Sequence, residues 1–436
     1  MEQRYTDRTI VRGVASAVTI AAILGALGTA EGQAFPTQKR HLTAPLEICD
    51  FGAFFVGGVP KLTQYSNSTT AGTMQQLVIG QMYVQFMVPK KQSGWPLIMV
   101  HGGGYSGSGL ESTPDGNEGW FAYAVRNELP TYVVDQAGRG RSGFDRSFIH
   151  ERIGTGNLAG FPSLGTTSSS GIWTAWFGHL IGGADITTGT LIKHGDAGDP
   201  QCAANPAHCT FTPAHNFDAV DPDIEARVGA IGPAPNPANN RQLALEHYKW
   251  GVPNTNTTLP NSTCSTCVPQ TIGSDVTWSG QDLAKLVAGL GGAVVATHSQ
   301  SGPIGHHMVR YLKEAGQLDK LKGLITVDGV GSTFASSGTT PADYQNIPYL
   351  SISPYYPGLS DGVYTTNVNA INAAGGTAEL VALRDPKYGD RFKGVTHMMM
   401  MGNGHLEVFD VILDWASRNI MNQPKKNTCG PGESAD

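Results

Sequence analysis

The segment that decides the fold is AVVATHSQSG, which covers residues 293–302. Its first five residues are apolar or β-branched and predict a buried strand, and the residues after Gly302 predict a helix that runs through Met308 and Leu312. Ser299 lies in the turn between the two elements. A serine in a tight strand-to-helix turn is typical of a nucleophile elbow, where backbone strain exposes the hydroxyl at the edge of a sheet. The segment therefore predicts Ser299 as a catalytic nucleophile.

The residues around Ser299 depart from the usual glycine pattern of such a turn. The elbow brings together the residues two before and two after the serine, and here these are Thr297 and Ser301. Both are small, so the sequence remains compatible with the turn. Two alternatives stay open: Ser301 as the nucleophile, and Ser299 as an ordinary helix N-cap.

Further strands and helices are predicted on both sides of the elbow. Buried strands are predicted at PLIMV (96–100), TYVVD (131–135), GLITVD (323–328), IPYLSIS (347–353) and AELVALRD (378–385), after two β-rich segments between residues 50 and 89. Helices are predicted near 120–126, 280–290 and 406–418. This alternation predicts an α/β protein with a doubly wound, mostly parallel sheet.

The glycine-rich turn HGGG (101–104) follows the PLIMV strand. An acyl-transfer site needs preorganised N–H donors for the developing oxyanion. We expect one donor from the backbone of Gln300, the residue after the nucleophile, and the other from Gly103 or Gly104. Phosphate binding is the alternative for such a turn, but no G-x-x-x-x-G-K-[ST] motif accompanies it.

The base and the acid should follow the serine, because the triad order in this kind of fold is serine, acid, histidine. His397 and His405 are the candidates for the base, and His397 is preferred because it lies on the loop after the last predicted strand. Asp328 and Asp361 are the candidates for the acid. Asp328 ends the GLITVD strand, which would hold its carboxylate more firmly than a long loop would hold Asp361, so Asp328 is preferred.

Residues 144–273 are rich in Gly, Pro, Asn, Ser and Thr and have few strand signals. We interpret them as a cap inserted between a first core segment, residues 35–143, and a second, residues 274–436. The chain then has one large domain with an insertion, since no obvious linker divides it into independent cores.

Aromatic residues in this cap are candidates for substrate contacts. Trp173, Trp176, Phe177 and Leu180 recur at helical spacing. Packing of the cap onto the core is the simpler explanation. The sharper hypothesis is that Trp173, Trp176 and Phe177, together with Tyr105 after the glycine turn, bind the substrate.

Residues 1–34 have the pattern of an export signal. Arg4, Arg8 and Arg12 precede an apolar stretch of about 14 residues, shorter than the roughly 20 that span a bilayer, and small residues follow it. A secreted extracellular or periplasmic protein without stable membrane insertion is therefore expected. An uncleaved membrane anchor or an N-terminal amphipathic helix is the alternative.

Export would place the six cysteines in an oxidising compartment, where disulfides persist. Their spacing suggests three pairs: Cys202–Cys209, Cys264–Cys267 and Cys49–Cys429. The alternative is a zinc cluster formed by the first two pairs with His208, for which a single C-x-x-C is weak evidence. We predict no metal and no organic cofactor.

The charge of the chain excludes one class of partner. It carries 29 basic and 35 acidic residues, a formal charge of −6, and no basic run that could follow a phosphate backbone. Nucleic acid is therefore not an expected partner. The oligomeric state stays open, a homodimer included.

Several segments together resemble a small branch of bacterial esterases in the α/β-hydrolase superfamily, marked by an HSQSG elbow and a triad acid after the sixth strand. The matching stretches include FFVGG, GQMYV, STPDGNEGW, TYVVDQAGRGRSG, THSQSG, ITVDG, INAAGG and THMMM. The resemblance implies ester hydrolysis, with His397 as base and the acid after strand six. The chain departs from that branch in its long cap, in Gly103 and Gly104, where cysteines can stand, and in Asp328, where a glutamate can stand.

The sequence thus predicts a serine esterase that hydrolyses small-molecule or polymeric carboxylic esters through Ser299, His397, Asp328 and an acyl-enzyme. Cleavage of an extracellular polyester or aryl ester is a narrower alternative. A non-catalytic binding protein on the same fold is the alternative from another class.

Overall fold

The computed structural model describes residues 42–64, 74–154, 156, 167–185, 188–196, 198–200, 241–259, 276–329, 334–356 and 361–420. The predicted export signal, His208 and all the cysteines except Cys49 lie outside these residues, so export, the disulfide pairs and the alternative zinc cluster stay predictions. Within the described ranges, no helix combines the length and apolar character needed to cross a membrane.

Strands in the described residues form a large central sheet and a small separate hairpin. They are β1 (Ile48–Gln64), β2 (Met74–Pro89), β3 (Leu97–Val100), β4 (Thr131–Asp135), β5 (Gly178–Ile181), β6 (Thr190–Lys193), β7 (Ala293–His298), β8 (Leu321–Val327), β9 (Tyr349–Ser353) and β10 (Ala378–Ala382). The order across the central sheet is β1-β2-β4-β3-β7-β8-β9-β10, and β5 pairs with β6. β1 is antiparallel to β2 and β2 to β4, whereas all neighbouring pairs from β4 to β10 are parallel.

Helices cover both faces of the central sheet. The described α-helices are α1 (Ser108–Glu111), α2 (Trp120–Arg126), α3 (Ser147–Gly154), α4 (Ser169–Trp176), α5 (Arg241–Tyr248), α6 (Val276–Gly289), α7 (Ser301–Glu314), α8 (Phe334–Ser337), α9 (Asp361–Ala373) and α10 (His405–Asn419). Side chains of α2 and α10 pack on one face, and those of α6, α7 and α9 on the other. Central strands such as β3 are apolar throughout because both faces are covered. The predicted doubly wound, mostly parallel sheet is confirmed.

Two glycines let the long β1–β2 hairpin bend against α6. Gly57 has a φ of +74° and Gly80 a φ of +75°, in the left-handed region that favours glycine. A Cβ on Gly57 would overlap the carboxylate of Asp282, and a Cβ on Gly80 would overlap the ring of Trp278. The glycines of FFVGG and of the IGQ segment therefore allow the hairpin to pack closely against the helix.

Between β4 and β7 the chain leaves the central sheet. Its described parts there contain α3, α4, the β5–β6 hairpin and α5, while the boundaries of the predicted cap stay a prediction. The prediction that Leu180 continues the helical spacing is wrong. α4 ends at Trp176, Phe177 is its C-cap and Leu180 lies in β5, since the chain turns to form the hairpin.

Candidate active site

Ser299 follows β7 directly and has a φ of 53°. A non-glycine residue in this left-handed region is strained and persists only where neighbouring contacts hold it. Here the Ser299 N–H donates to the carbonyl of Val327 on β8 at 3.1 Å, and the N–H of Gly302 donates to the Ser299 carbonyl at 2.9 Å. The chain then enters α7 at Ser301. This strained strand-to-helix turn has the geometry of a nucleophile elbow.

Ser301 is a structural residue of this turn. Its buried hydroxyl accepts the His298 N–H at 2.8 Å and lies 2.8 Å from the His298 carbonyl and 3.1 Å from the Val100 carbonyl, to which it can donate. These hydrogen bonds hold the start of α7 against the end of β7. Thr297, where a glycine is usual, fits because Gly305 faces it: a Cβ there would come 3.2 Å from the Thr297 methyl.

His397 and Asp328 form a buried pair. The His397 Nδ1–H donates to Asp328 Oδ2 at 2.5 Å, and the side chains are 10% and 1% exposed. The Tyr364 hydroxyl donates to the other carboxylate oxygen of Asp328. Burial acts to raise the pKa of Asp328, but the neighbouring His397 and the hydrogen bonds from His397 and Tyr364 outweigh it and hold that pKa below its usual value. The carboxylate is thus ionised at neutral pH.

Asp328 and Ser299 lie at corresponding ends of neighbouring strands. His298 pairs with Val327 in the β7–β8 register, so Ser299 and Asp328 come next on adjacent strands. Asp328 also has a positive φ, 42°, and its N–H donates to the Ile352 carbonyl at 2.8 Å. Backbone hydrogen bonds to adjacent strands therefore fix both residues.

The two rival residues have other places in the fold. Asp361 is the first residue of α9. His405 is the first residue of α10 and is buried, and its Nε2–H donates to the Glu118 carbonyl at 2.6 Å. That contact ties α10 to the segment before α2 and accounts for the burial of this histidine.

His298 supports the loop that carries His397. It is buried, and burial lowers its pKa to about 3, so the ring is neutral at physiological pH. Its Nε2–H donates to the His397 backbone carbonyl at 3.0 Å, and the two rings are 4.7 Å apart. The residue before the elbow serine therefore holds the backbone of His397 in place.

The glycine turn approaches the elbow too closely for any side chain. A Cβ on Gly102 would lie 2.9 Å from the Ser299 Cβ, and one on Gly103 would lie 2.7 Å from the Gln300 Oε1. The Gly104 N–H donates to Asn254 Oδ1 at 2.9 Å. This bond engages the N–H of one of the two glycines expected to bind an oxyanion. The N–H groups of the other, Gly103, and of Gln300 have no acceptor among the described residues.

Arg139 lies directly behind this turn and is fully buried. Its guanidinium donates to the Gly102 carbonyl at 3.3 Å, to Gln300 Oε1 at 3.1 Å and to Asn256 Oδ1 at 2.9 Å. The arginine thus links the glycine turn, the residue after Ser299 and the chain that precedes α6. It also places a positive charge beside the expected oxyanion donors.

A cavity of about 280 Å³ adjoins the glycine turn. Its lining residues come from the turn, α4 and the segment after α5: Gly103, Gly104, Tyr105, Thr167, Ile172, Trp176, Tyr248, Gly251, Val252, Pro253 and Asn254. Trp176 also stacks on the His397 ring, with centroids 5.2 Å apart and planes 25° apart. The cavity therefore reaches from the glycine turn to the side chain that covers His397.

Of the aromatic residues predicted to contact substrate, Tyr105 and Trp176 line this cavity and the other two do not. Trp173 is 1% exposed and its indole N–H donates to the Ile192 carbonyl at 2.9 Å, and Phe177 is fully buried beside it. Both are core residues that join α4 to the β5–β6 hairpin. The helical spacing of these residues does not show that Trp176 lines a cavity whereas Trp173 and Phe177 pack in the core.

Four residues of the site were not singled out from the sequence: Arg139, Asn254, His298 and Tyr364. Arg139 lies in the QAGRGRSG segment and His298 lies in the elbow itself. Their position in these motifs is the feature of the sequence that could have identified them as site residues. Asn254 and Tyr364 reach the site through contacts 150 and 36 residues away in sequence, and no local pattern marks them.

Comparison with known proteins gives two informative similarities. No protein-family model matches the chain. A probable secreted lipase, phiG, of Fungal sp. (strain ATCC 74256) is 30% identical over 106 residues, which are 24% of this chain and 24% of that protein. The match thus spans about a quarter of the lipase.

A bacterial esterase solved at atomic resolution is 25% identical, with a TM-score of 0.60, over 87% of this chain and 99% of that one. Its similarity extends through most of this chain. Together with the sheet order, it shows that the chain has the α/β-hydrolase fold.

Proposed function

We propose that the protein is a secreted carboxylic-ester hydrolase in which Ser299 is the nucleophile, His397 the general base and Asp328 the acid. One observation carries the proposal: Asp328, which forms a buried hydrogen-bonded pair with His397, follows β8 at the position next to Ser299, which lies in a strained turn after β7. The esterase and lipase similarities support the same chemistry.

The protonation of the pair suits a base. His397 donates through Nδ1 to an ionised Asp328, so its Nε2 can accept the Ser299 proton as the hydroxyl attacks an ester carbonyl. The carboxylate then stabilises the imidazolium. His397 returns the proton to the leaving alcohol, and water releases the acyl group from Ser299 in the second half of the reaction.

The oxyanion of each tetrahedral intermediate would bind the N–H groups of Gly103 and Gln300. Gly104 is the weaker choice, since Asn254 engages its N–H. The buried Arg139 fixes the Gln300 side chain and the Gly102 carbonyl and adds positive charge nearby. Preorganised donors of this kind are worth about 3–4 kcal/mol each in comparable sites.

The cavity suggests the kind of ester. Tyr105, Trp176 and Tyr248 provide aromatic surface, and the volume of about 280 Å³ suits a short apolar acyl or aryl group. The proposal has two further parts. The protein is secreted, and it belongs to the branch of bacterial esterases that has an HSQSG elbow and an acid after strand six.

A fluorophosphonate probe tests the proposal directly. Wild-type protein should be labelled at Ser299 and should hydrolyse p-nitrophenyl esters of graded acyl length, with the short-chain esters preferred. The Ser299→Ala variant is the blank for both measurements. Folded wild-type protein that is neither labelled nor active would instead support the non-catalytic binding protein.

A further inference from the structure

Three potential metal ligands meet in the segment between β4 and β7, away from the proposed catalytic residues. They are His179 in β5, His194 directly after β6, and Asp199 in the following turn. One ligand atom from each lies within 4.8 Å of the other two. The His179 Nε2 is 3.0 Å from Asp199 Oδ1, and the His194 Nδ1 is 4.0 Å from Asp199 Oδ2.

The hairpin register brings the two histidines together. The His194 N–H donates to the Phe177 carbonyl at 3.1 Å, and His179 pairs with Ile192. His179 and His194 are therefore diagonal neighbours on one face of the hairpin, within side-chain reach of each other. Their rings are perpendicular with centroids 4.8 Å apart.

The turn after β6 places the carboxylate against the histidines. Asp196 caps it by accepting the Lys193 N–H at 2.8 Å, and the Gly195 N–H donates to Asp199 Oδ2 at 2.7 Å. Asp199 and His194 are each only 2% exposed, and the His194 ring stacks on Tyr356. Two of the three side chains are thus buried and held in orientation before any ligand arrives.

The donor set and spacing suit one class of ion. Imidazole nitrogen with a carboxylate oxygen is typical of Zn²⁺, and bonds of 2.0–2.2 Å put tetrahedral ligand atoms about 3.4 Å apart. The 3.0 Å separation involves Asp199 Oδ1 and the 4.0 Å separation involves Asp199 Oδ2. One ligand atom from each side chain lies within 4.8 Å of the other two, so small side-chain rotations would bring the three to tetrahedral spacing. Ca²⁺ and Mg²⁺ prefer sites made of oxygen. A water molecule would complete a four-coordinate shell.

Although the sequence analysis predicts no metal, we propose that His179, His194 and Asp199 form a zinc site that stabilises the β5–β6 hairpin and its contact with the core. Tyr356, which stacks on His194, donates its N–H to the Val395 carbonyl at 3.0 Å, two residues before His397. Phe177, bonded to His194, follows Trp176, which stacks on the His397 ring. The ion would therefore steady both sides of His397 without touching the substrate.

Metal content is the direct test. Protein purified without a polyhistidine tag from zinc-containing medium should hold about one Zn²⁺ per chain by elemental analysis. Asp199→Asn and His179→Gln should each bind Zn²⁺ at least about tenfold more weakly in competition with a chromophoric chelator. Asp196→Asn is the matched control: it alters a carboxylate in the same turn, keeps an oxygen for the Lys193 N–H, and should keep the metal.

Thermal unfolding of the wild-type protein gives a second test, which does not require any variant to fold. A chelator should lower the Tm of wild-type protein, and Zn²⁺ but not Ca²⁺ or Mg²⁺ should restore it. His179 is partly exposed, so its Gln variant should fold and be insensitive to chelator. Wild-type protein with no tighter affinity for Zn²⁺ than the Asp199→Asn variant would overturn the proposal and leave a simple His179–Asp199 ion pair. Neither readout depends on ester hydrolysis.

Discussion

Backbone strain marks two of the residues proposed for chemistry. In the described part of the chain, the non-glycine residues with positive φ are Glu128, Ser299 and Asp328. Glu128 lies in the loop before β4, whereas Ser299 and Asp328 end neighbouring strands. Such strain costs of order 1–3 kcal/mol per residue and persists where surrounding contacts impose it. Here those contacts are the hydrogen bonds to β8 and β9.

The two serines of the elbow should respond oppositely to substitution. Ser299→Ala should abolish ester turnover and leave the Tm close to that of wild type, because nothing in the described core depends on its hydroxyl. Ser301→Ala should lower stability by about 1–3 kcal/mol, because it leaves buried backbone groups of His298 without a partner. Urea denaturation and a p-nitrophenyl ester assay on both variants would measure this. Turnover by Ser299→Ala within about tenfold of wild type would contradict the assignment.

The choice of acid can be tested by a pair of isosteric substitutions. Asp328→Asn should lower kcat at least about a hundredfold, since the amide can no longer stabilise the imidazolium of His397. Asp361→Asn, at the first residue of α9, should change kcat little. Steady-state kinetics on variants with native circular dichroism would decide. The reverse ranking would move the acid to the start of α9.

At the scale of elements, the contact between the β1–β2 hairpin and α6 contains a buried acid in an unfavourable place. Asp282 is 3% exposed, and its Oδ2 has no hydrogen-bond partner among the described residues. Burial raises its pKa to about 6, and the exposed Lys285 only partly opposes this. The folded state therefore disfavours the charged form relative to the unfolded chain.

Asp282→Asn should stabilise the protein at high pH only. Because the folded pKa lies above the unfolded value, the advantage of the neutral acid is complete below pH about 4 and is lost as the pH rises through about 6. The variant should gain up to about 3 kcal/mol at pH 8 and nothing at pH 4. Urea denaturation at both pH values measures the difference, with the exposed Asp414→Asn as control. Equal gains at both pH values would contradict the charge argument.

Central strands were predictable because both of their faces are buried. TYVVD matches β4 residue for residue, and the elbow segment gave β7 and α7. The sequence did not predict the β5–β6 hairpin, because many of its residues are Gly and Thr. It did not predict α5 either, because the chain around that helix has no clear periodicity. Contacts such as Gly104 with Asn254 depend on how distant segments dock, and local sequence carries no record of them.

On the scale of the whole molecule, the predicted disulfide bonds would join distant parts of the chain. Cys49 lies in β1 at one edge of the sheet, and the sequence pairs it with Cys429 beyond α10. Such a link would join the start of the folded chain to its end. The closed loop would then contain most of the protein.

Reducing agent should therefore lower the Tm of the protein. Each of three disulfides would typically contribute about 2–4 kcal/mol. Mass spectrometry of alkylated, unreduced protein should find no free thiols, and Cys49→Ser should expose one new thiol at Cys429. Six alkylated cysteines in the unreduced protein would contradict all three pairs.

The stack of Trp176 on His397 also provides an optical signal. An imidazolium ring in contact with an excited indole quenches its fluorescence, whereas a neutral imidazole does so weakly. Emission from Trp176 should therefore depend on the charge of the imidazole ring on which it stacks. Subtracting the spectrum of a Trp176→Phe variant would isolate this signal from the other tryptophans of the chain. The side chain that covers the proposed base would thus report the charge of that base without a label.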